Sequence, residues 1–301
     1  MTEIHATTTD LGALNAKAAA RRARMETVSA VIRYGLLLAV GFVMLYPLIW
    51  LIGASFKTNS EIFAGAGFIP EDPTLDGYIK GWQTSTPYTF GRFFWNSFLI
   101  ILPKVIGTAI SCTLAAYAFA RFDFPLKKVL FSSVIAILLL PNVVTRIPQY
   151  ILFRDLGWLD SFLPLWVPSA LAGDAFFVFM LVQFLRSLPR DMEEAARVDG
   201  ANSLQTLVYI VVPMLAPALI SVCLFQFMWT MNDFLGPLIY ISSVDKYPVS
   251  LALKLSIDTT EAFEWNRILA MSVLTITPAL VVFFVAQRYF IEGISAGSRK
   301  G

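Results

Sequence analysis

Six long apolar runs constrain the fold of this chain more than any other feature of its sequence. A helix needs about 20 mostly apolar residues to cross a hydrocarbon layer roughly 30 Å thick, because it rises about 1.5 Å per residue. Only 15% of the 301 residues are charged, whereas soluble domains have roughly 25%. The sequence therefore predicts an all-α, polytopic membrane protein with six transmembrane helices, at residues 32–53, 97–119, 128–150, 161–184, 206–230 and 267–290.

The placement of lysine and arginine predicts how these spans are oriented. Basic residues favour the cytoplasmic side of a membrane, and a cytoplasmic N-terminus puts the larger share of them there, whereas the opposite start reverses the bias. We therefore expect both termini in the cytoplasm. The expected segments are cytoplasmic tails at 1–30 and 292–301, a transmembrane domain at 31–291, an outer cap at 54–96, a cytoplasmic elbow at 187–206 and an outer loop at 241–265.

Composition and motifs argue against several classes of function. A net charge of +2, without basic runs interleaved with aromatics, predicts no nucleic-acid partner. The one histidine, His5, lies in a polar tail, and Cys112 and Cys223 both lie in apolar runs. We therefore predict no metal site, no cofactor in this chain and no enzymatic activity. The sequence has no G-x-x-x-x-G-K-[ST] motif for a nucleotide.

The elbow at 187–206 has the sequence signals of two short helices. Ser187 is expected to cap the first helix, and Gly200 to end it in a left-handed conformation. Asn202 or Ser203 is expected to cap the second helix. Two alanines in the first helix would permit close approach by a partner. The residues alone leave two alternatives for this elbow, a docking element and an ordinary cytoplasmic loop.

A spaced motif in and after the elbow resembles the signature of a known family. Glu194-Ala195-Ala196, three residues, Gly200, nine residues, Ile210, one residue and Val212-Pro213 resembles the EAA motif of bacterial ABC importer permeases, E-A-A-x3-G-x9-I-x-L-P. Val212 replaces the usual leucine and is the single departure. Segments 55–63, 228–240 and 287–301 are also similar to parts of the carbohydrate-importer permeases of the MalG-like type.

The resemblance implies a MetI/MalG-like permease core in the bacterial cytoplasmic (inner) membrane, and several partners. These are a homologous MalF-like permease chain, a dimer of ATP-binding subunits that hold ATP and Mg, an extracytoplasmic solute-binding protein, membrane lipid and an oligosaccharide substrate. The resemblance also implies that the elbow couples ATP hydrolysis to transport. The residues it assigns to this coupling are Glu193, Glu194, Ala195, Ala196, Asp199, Gly200 and Ala201.

Polar and ionisable side chains inside the apolar runs are candidates for a translocation path, because they are costly at membrane depth. The alternative is that the two cations extend their charged ends to the membrane surface, or pair with Asp174 and Asp233 and hold helices together. Three aromatic residues near the end of the fifth run, Phe225, Phe227 and Trp229, could stack on sugar rings or simply pack between helices. The predicted path residues are Lys104, Asn142, Arg146, Asp174, Gln226, Trp229, Asn232 and Asp233.

Cations on the path would favour an acidic oligosaccharide over a neutral one. Segment 232–253 resembles uronate-oligosaccharide permeases of the alginate or oligogalacturonide type. The outer loop resembles the family's segment that reaches into the docked binding protein, with a simple connector as the alternative. Two other functional classes compete with the importer. One is an ion-coupled secondary transporter, which would usually show an internal repeat, and the other is a membrane-embedded enzyme.

Overall fold

The structure, a computed structural model, is mostly helical. It describes residues 3–65, 67–84, 86–258 and 264–298, with side chains except at 3–20, 23, 142, 258 and 288–298. Within these ranges there is no β-strand, and the predicted all-α class is confirmed. The chain divides into two compact units, residues 1–73 and 74–301.

The first unit consists mainly of one long helix, α1 (Glu3–Ala54). The part from Arg24 to Ala54 is long and apolar enough to cross a membrane. Large apolar side chains along it are widely exposed, for example Leu38 at 75% and Met44 at 74%. A surface of this kind requires a lipid or protein environment, because soluble monomers rarely expose large continuous apolar patches.

A compact turn follows α1 and closes around a buried lysine. Thr58 caps α2 (Asn59–Ala64) by accepting a hydrogen bond from the backbone N–H of Glu61. The Lys57 ammonium, with its side chain 4% exposed, donates to the carbonyl of Gly67 at 2.9 Å and lies 3.4 Å from the Glu61 carboxylate. The hydrogen bond and the ion pair satisfy a charge that burial would otherwise penalise.

The second unit contains the remaining helices and two short helical turns of other types. Its members in chain order are α3 (Asp76–Gln83), α4 (Phe90–Arg121), α5 (Lys127–Leu139), α6 (Asn142–Asp155), α7 (Leu163–Ala170), α8 (Ala175–Ser187), α9 (Asp191–Val198), α10 (Ser203–Thr206), a π-helical turn (Leu207–Val211), α11 (Val212–Met214), α12 (Ala216–Met231), α13 (Leu235–Tyr240), a 3₁₀ turn (Val244–Lys246), α14 (Val249–Asp258) and α15 (Trp265–Ser298).

Six membrane spans result if each bent helix pair counts as one span. Four candidate spans are single stretches, and two are pairs of helices that bend sharply at a short break. The predicted third run corresponds to the pair α5 and α6, and the predicted fifth run to the pair that ends in α12. The single stretches are Arg24–Ala54, Phe90–Arg121, Leu163–Ser187 and Trp265–Gln287.

Prolines lie at the two breaks. Pro141 precedes the first residue of α6. Pro213 and Pro217 flank Leu215, where the fifth span bends by 78°. A proline has no N–H to donate and its ring clashes with the preceding turn. The helices therefore change direction where a straight span would have needed those hydrogen bonds.

The core of the second unit forms where α4 packs against α8 and the helices from α10 to α12. Phe177, Leu181 and Leu185 of α8 are fully buried there, beside Cys112 and Ala116 of α4. We name the two ends of this bundle after the first and last residues of α4, the Phe90 end and the Arg121 end.

A glycine brings α4 close to α7. A Cβ atom added at Gly107 would lie 2.7 Å from the Cβ of Ala170. A larger residue would therefore force the two helices apart.

The structure divides one of the segments that the sequence suggested and describes two others in part. The expected outer cap at 54–96 crosses the boundary between the two units, and its final residues, from Phe90, belong to α4. Part of the predicted outer loop 241–265, residues 259–263, lies outside the described residues. The predicted C-terminal tail at 292–301 continues the backbone of α15 as far as Ser298, and residues 299–301 lie outside the described residues.

Candidate functional site

The predicted elbow is a short helix with well-defined ends. Helix α9 ends at Val198, and Gly200, two residues later, has a left-handed φ of +86°. The N–H of Gly200 donates to Arg197 at 3.0 Å and the N–H of Ala201 donates to Ala196 at 2.9 Å. These two bonds form a Schellman motif, which satisfies carbonyls that a helix end leaves free. The predicted left-handed stop is present in the structure.

Two N-terminal caps were predicted for the elbow. The cap of the second helix by Asn202 is present, and the cap of the first helix by Ser187 is wrong. Asn202 caps α10 through a capping box: its side chain accepts from the backbone N–H of Gln205, and the Gln205 side chain accepts from the backbone N–H of Asn202. Ser187 instead donates to the carbonyl of Phe184 at the end of α8. Helix α9 starts four residues later, after Arg190, which makes no side-chain cap.

A buried ion pair fastens α9 to α4. The Nε of Arg121 lies 2.7 Å from the Oε1 of Glu193, and the two side chains are 3% and 5% exposed. Two further bonds support the contact, since the Arg121 guanidinium donates to the carbonyl of Leu188 and Arg190 donates to the carbonyl of Ala120. Within α9, all of whose residues are described, Glu193 is the one buried residue.

The other residues of the predicted coupling set lie on the surface of the elbow. Glu194, Ala195, Asp199 and Gly200 are exposed, and Ala196 and Ala201 are half-buried. The surface therefore presents two carboxylates, those of Glu194 and Asp199, beside small side chains, which allow a partner to approach the backbone closely. The structure separates this exposed set from Glu193, whose carboxylate is used inside the chain.

A cavity of about 610 Å³ brings together most of the predicted path residues. Its walls come from the middle of α4, from α5 and α6, from the break between α7 and α8, and from α12 with the segment after it. Asn232 does not line this cavity. It is exposed, and its amide donates to the carbonyl of Met228. The side chain of Asn142 lies outside the described residues. The predicted residues that line the cavity are Lys104, Arg146, Asp174, Gln226, Trp229 and Asp233.

The break in the fourth span places Asp174 at the cavity wall. Ala172 has a φ of +59° and interrupts the helix, and α8 then begins after Asp174. The Ser111 hydroxyl of α4 spans this break. It donates to the carbonyl of Ser169 and accepts from the N–H of Ala172, both at 3.0 Å. Backbone groups freed by an interruption at membrane depth are tolerated where protein groups bond them in this way.

Two neutral side chains hold the Asp174 carboxylate. Its Oδ2 accepts from the hydroxyl of Thr108 and from the amide of Gln226, both at 3.2 Å. Thr108 was not predicted from the sequence. It lies one helical turn after Lys104, and residues four apart share one face of a helix. The four-residue spacing from Lys104 was therefore the sequence signal that could have identified Thr108 as a cavity residue's partner.

The two cations of the cavity are not paired with its carboxylates. Among the described residues, the side chains of Lys104 and Arg146 form no ion pair and no hydrogen bond. Both are half-buried. Asp233 instead accepts from the backbone N–H of Gly236 at 3.0 Å. The alternative that these charges hold the helices together as ion pairs is therefore not realised in this structure.

Only one of the three predicted stacking aromatics faces the cavity. Trp229 is 51% exposed and packs against the rings of Phe176 and Phe177, with centroids 5.3 and 5.1 Å away. Phe225 packs against the core between α4 and α8, and Phe227 is buried against Ile101 and Met231. Helix packing therefore accounts for the last two, whereas Trp229 has a ring surface available in the cavity.

An aspartate clasp fixes the start of the predicted outer loop, and it had no signal in the sequence. The Asp160 carboxylate accepts from the N–H groups of Ser242 and Ser243, from the Ser243 hydroxyl and from the Lys246 ammonium, at 2.6 to 3.0 Å. The hydrogen bonds from Lys246 and Ser243 hold the pKa of this carboxyl well below its usual range. The first residues of the loop are therefore a rigid structure.

A second side chain, from α4, fixes the same segment. The amide of Asn96, which is 1% exposed, donates to the carbonyls of Asp245 and Tyr247 at 2.8 and 2.9 Å. The hydroxyl of Ser97 accepts from the N–H of Val249. Helix α14 therefore begins at a position that α4 determines.

Comparisons with known proteins agree with this architecture. A family model described as "Binding-protein-dependent transport system inner membrane component" matches residues 107–295. A probable ABC transporter permease protein of Pyrococcus horikoshii is 32% identical over 257 residues, covering 85% of this chain and 92% of the relative. An arabinooligosaccharides transport system permease protein of Halalkalibacterium halodurans is 30% identical over 269 residues, covering 87% and 93%.

The fold is also that of a solved transporter structure. It is the crystal structure of a bacterial ABC transporter involved in the import of the acidic polysaccharide alginate, and it matches with a TM-score of 0.78. The match covers 89% of this chain and 98% of the other, at 24% sequence identity. At this identity the likeness concerns the fold.

Proposed function

Because the chain belongs to the family of binding-protein-dependent transport system inner membrane components, we propose that it is one permease subunit of an ATP-driven importer for oligosaccharides. The sugar transport systems among its relatives support this substrate class. The family match carries the proposal, and it favours an ATP-driven importer over an ion-coupled secondary transporter. ATP and Mg would be bound by a separate ATPase.

The importer would contain several other components. In our proposal a homologous permease chain supplies the other half of the path, two ATP-binding subunits attach on the cytoplasmic side, and an extracytoplasmic binding protein delivers the sugar. The complex lies in the cytoplasmic membrane of a bacterium. The Arg121 end of the bundle, with α9, then faces the cytoplasm, and the Asp160 clasp faces outward.

The exposed part of the elbow is our proposed contact with the ATPase. Glu194 and Ala195 are accessible there, and α9 is held from behind by the Glu193 ion pair. A short helix with a fixed base and small exposed side chains can fit a groove on a partner without large rearrangement. The elbow is therefore suited to transmit the closure of the ATP-binding subunits.

We propose further that the 610 Å³ cavity is part of the path and that the solute is acidic, such as a uronate oligosaccharide. Lys104 and Arg146 line the cavity without a carboxylate partner among the described residues, whereas neutral side chains already bond Asp174. An acidic sugar would satisfy the two cations. Trp229 offers a ring face on which a sugar could stack.

Transport by the reconstituted complex tests both parts of this proposal. The chain is placed in vesicles with its partner permease, ATPase and binding protein, and uptake of a uronate oligosaccharide is compared with that of a neutral one of equal length. The expected result is ATP-dependent uptake with preference for the uronate. Removing either cation, in Lys104→Ala or Arg146→Ala, is expected to raise the KM for the uronate roughly 10- to 100-fold, because hydrogen bonds to charged groups contribute about 1.5–3 kcal/mol.

The controls separate the solute from the energy source. Lys80→Ala removes an exposed cation that pairs with Asp76 outside the cavity, and it should leave both uptake rates unchanged. Faster uptake of the neutral sugar by the unmodified complex, or an equal loss for both sugars in the cavity variants, would refute the acidic solute. Uptake that persists after the ATPase is inactivated would refute the importer itself.

A further inference from the structure

The ion pair between Arg121 and Glu193 lies where α9 meets the last turn of α4. Both side chains are almost completely buried. Desolvation makes a buried ion pair weak as a stabilising device, since apolar side chains of similar volume often do as well or better. What the pair does provide is a defined geometry between two helices, because its hydrogen bond fails if either helix moves alone.

Helix α4 connects this pair directly to the cavity. It is continuous from Phe90 to Arg121, and its one proline, Pro103, lies beyond the cavity residues as seen from Arg121. Thr108, which bonds Asp174 in the cavity, lies about 20 Å from Arg121 along the helix at a rise of 1.5 Å per residue. An uninterrupted helix of this length transmits displacement with little loss.

The covalent route from α9 to the cavity is more compliant. After Gly200 the chain passes through α10, the π-helical turn Leu207–Val211 and the 78° bend at Leu215 before α12 reaches Gln226. The π-helical turn and the bend at Leu215 each interrupt regular α-helical hydrogen bonding. A movement of α9 would therefore reach the cavity more faithfully through α4 than through its own chain.

We propose that Arg121 and Glu193 are positioning residues that carry the displacement of α9 to α4 and so to Thr108, which bonds the cavity residue Asp174. The inference rests on the proposed function, because it assumes that an ATPase moves α9. Glu194 and its exposed neighbours would receive the movement, and Glu193 would pass it on. In this proposal Glu194 contacts the ATPase and Glu193 links α9 to α4.

The first test compares ATP consumption with transport in the reconstituted complex. Glu193→Gln keeps the shape and removes the charge. It is expected to leave the complex assembled and to raise the ATP hydrolysed per sugar imported roughly 5- to 150-fold, the range of typical coupling between sites. The double variant Arg121→Glu with Glu193→Arg restores the charge pair and should recover most of the coupling. Asp191→Asn removes an exposed charge from the same helix and should change nothing.

The second test measures the link itself. Spin labels replace Leu114 on α4 and Val198 at the end of α9, which are 48% and 88% exposed, in a background where Cys223 is alanine. The distance between the labels should be the same in the resting and the ATP-trapped complex. In Glu193→Gln it should differ between the two states.

The outcomes of these tests separate the positioning pair from the proposed function. The pair is refuted if Glu193→Gln retains the normal ratio of ATP to sugar, or if the label distance in the unmodified chain changes between the two states. It is also refuted if Glu193→Gln abolishes ATP hydrolysis and transport together while the label distance stays constant. Failure of the unmodified complex to import any sugar would instead refute the proposed function.

Discussion

The left-handed turn at Gly200 should control how tightly the ATPase binds. Its φ of +86° costs an L-residue about 1–2 kcal/mol. Nothing lies within 4 Å of a Cβ added there, so alanine adds strain and no clash. A free chain carrying alanine can relax the turn, and docking must then restore it. Gly200→Ala is therefore expected to weaken ATPase binding about 5- to 30-fold, at a factor of ten per 1.4 kcal/mol.

A graded series at this position isolates the backbone effect. Asparagine tolerates the left-handed region better than alanine, so Gly200→Asn should bind between glycine and alanine. Proline is fixed near a φ of −65° and would also remove the N–H that bonds Arg197. Its cost of about 3 kcal/mol or more predicts a loss of at least roughly a hundredfold in affinity.

The dissociation constant of the ATPase for the permease complex in lipid nanodiscs measures this series. Gly157→Ala is the matched control, because Gly157 also has a positive φ, of +68°, and no neighbour at a Cβ, yet it lies in the turn after α6. The Gly157→Ala variant should have a similar backbone strain and should leave ATPase binding unchanged. Equal binding by the glycine, asparagine and alanine chains would refute the argument, as would an equal loss in Gly157→Ala.

Two further variants test the exposed glutamate and the aspartate clasp. Glu194→Lys should leave the chain in the membrane and weaken ATPase binding roughly 10- to 100-fold, the loss of a charged hydrogen bond, with Glu194→Gln intermediate in the same assay. If both variants bound the ATPase as tightly as the unmodified chain, Glu194 would have no role in docking. Asp160→Asn should speed hydrogen exchange at Ser243 roughly 10- to 100-fold at neutral pH. The folded pKa of Asp160 is lowered, so the unmodified clasp stabilises the loop above the ordinary value of 3.8 and loses this stabilisation as the pH falls further. A variant whose exchange matches the unmodified chain would exclude this stabilisation.

The features that could be predicted from the sequence depend on local rules. The spans follow from the length of apolar runs, and the stop at Gly200 and the cap at Asn202 follow from residues that suit those backbone positions. The high cost of ionisable groups at membrane depth selected Lys104 and Arg146, which the structure then places in one cavity. Each of these inferences uses only a short stretch of sequence.

The features that were missed depend on residues far apart in the chain. Glu193 was included in the predicted coupling set because it lies next to the motif residues. Its carboxylate instead accepts a hydrogen bond from Arg121, which is 72 positions away. The Asp160 clasp joins segments 83 positions apart, and Asp160 looks like an ordinary turn residue. Ser187 had the residue type of a cap, but α8 continues through it, so its hydroxyl bonds within that helix. The partner of each of these side chains depends on how the helices pack in three dimensions.

The Ser111 hydroxyl has a consequence for which substitutions this chain can accept. It provides both a donor and an acceptor to the interrupted fourth span, so the break depends on one small polar side chain on a different helix. Hydropathy would score alanine at this position as an improvement in an apolar run. The substitution would leave a carbonyl and an N–H unbonded at membrane depth, where each costs several kcal/mol. Position 111 therefore tolerates only side chains that can both donate and accept a hydrogen bond.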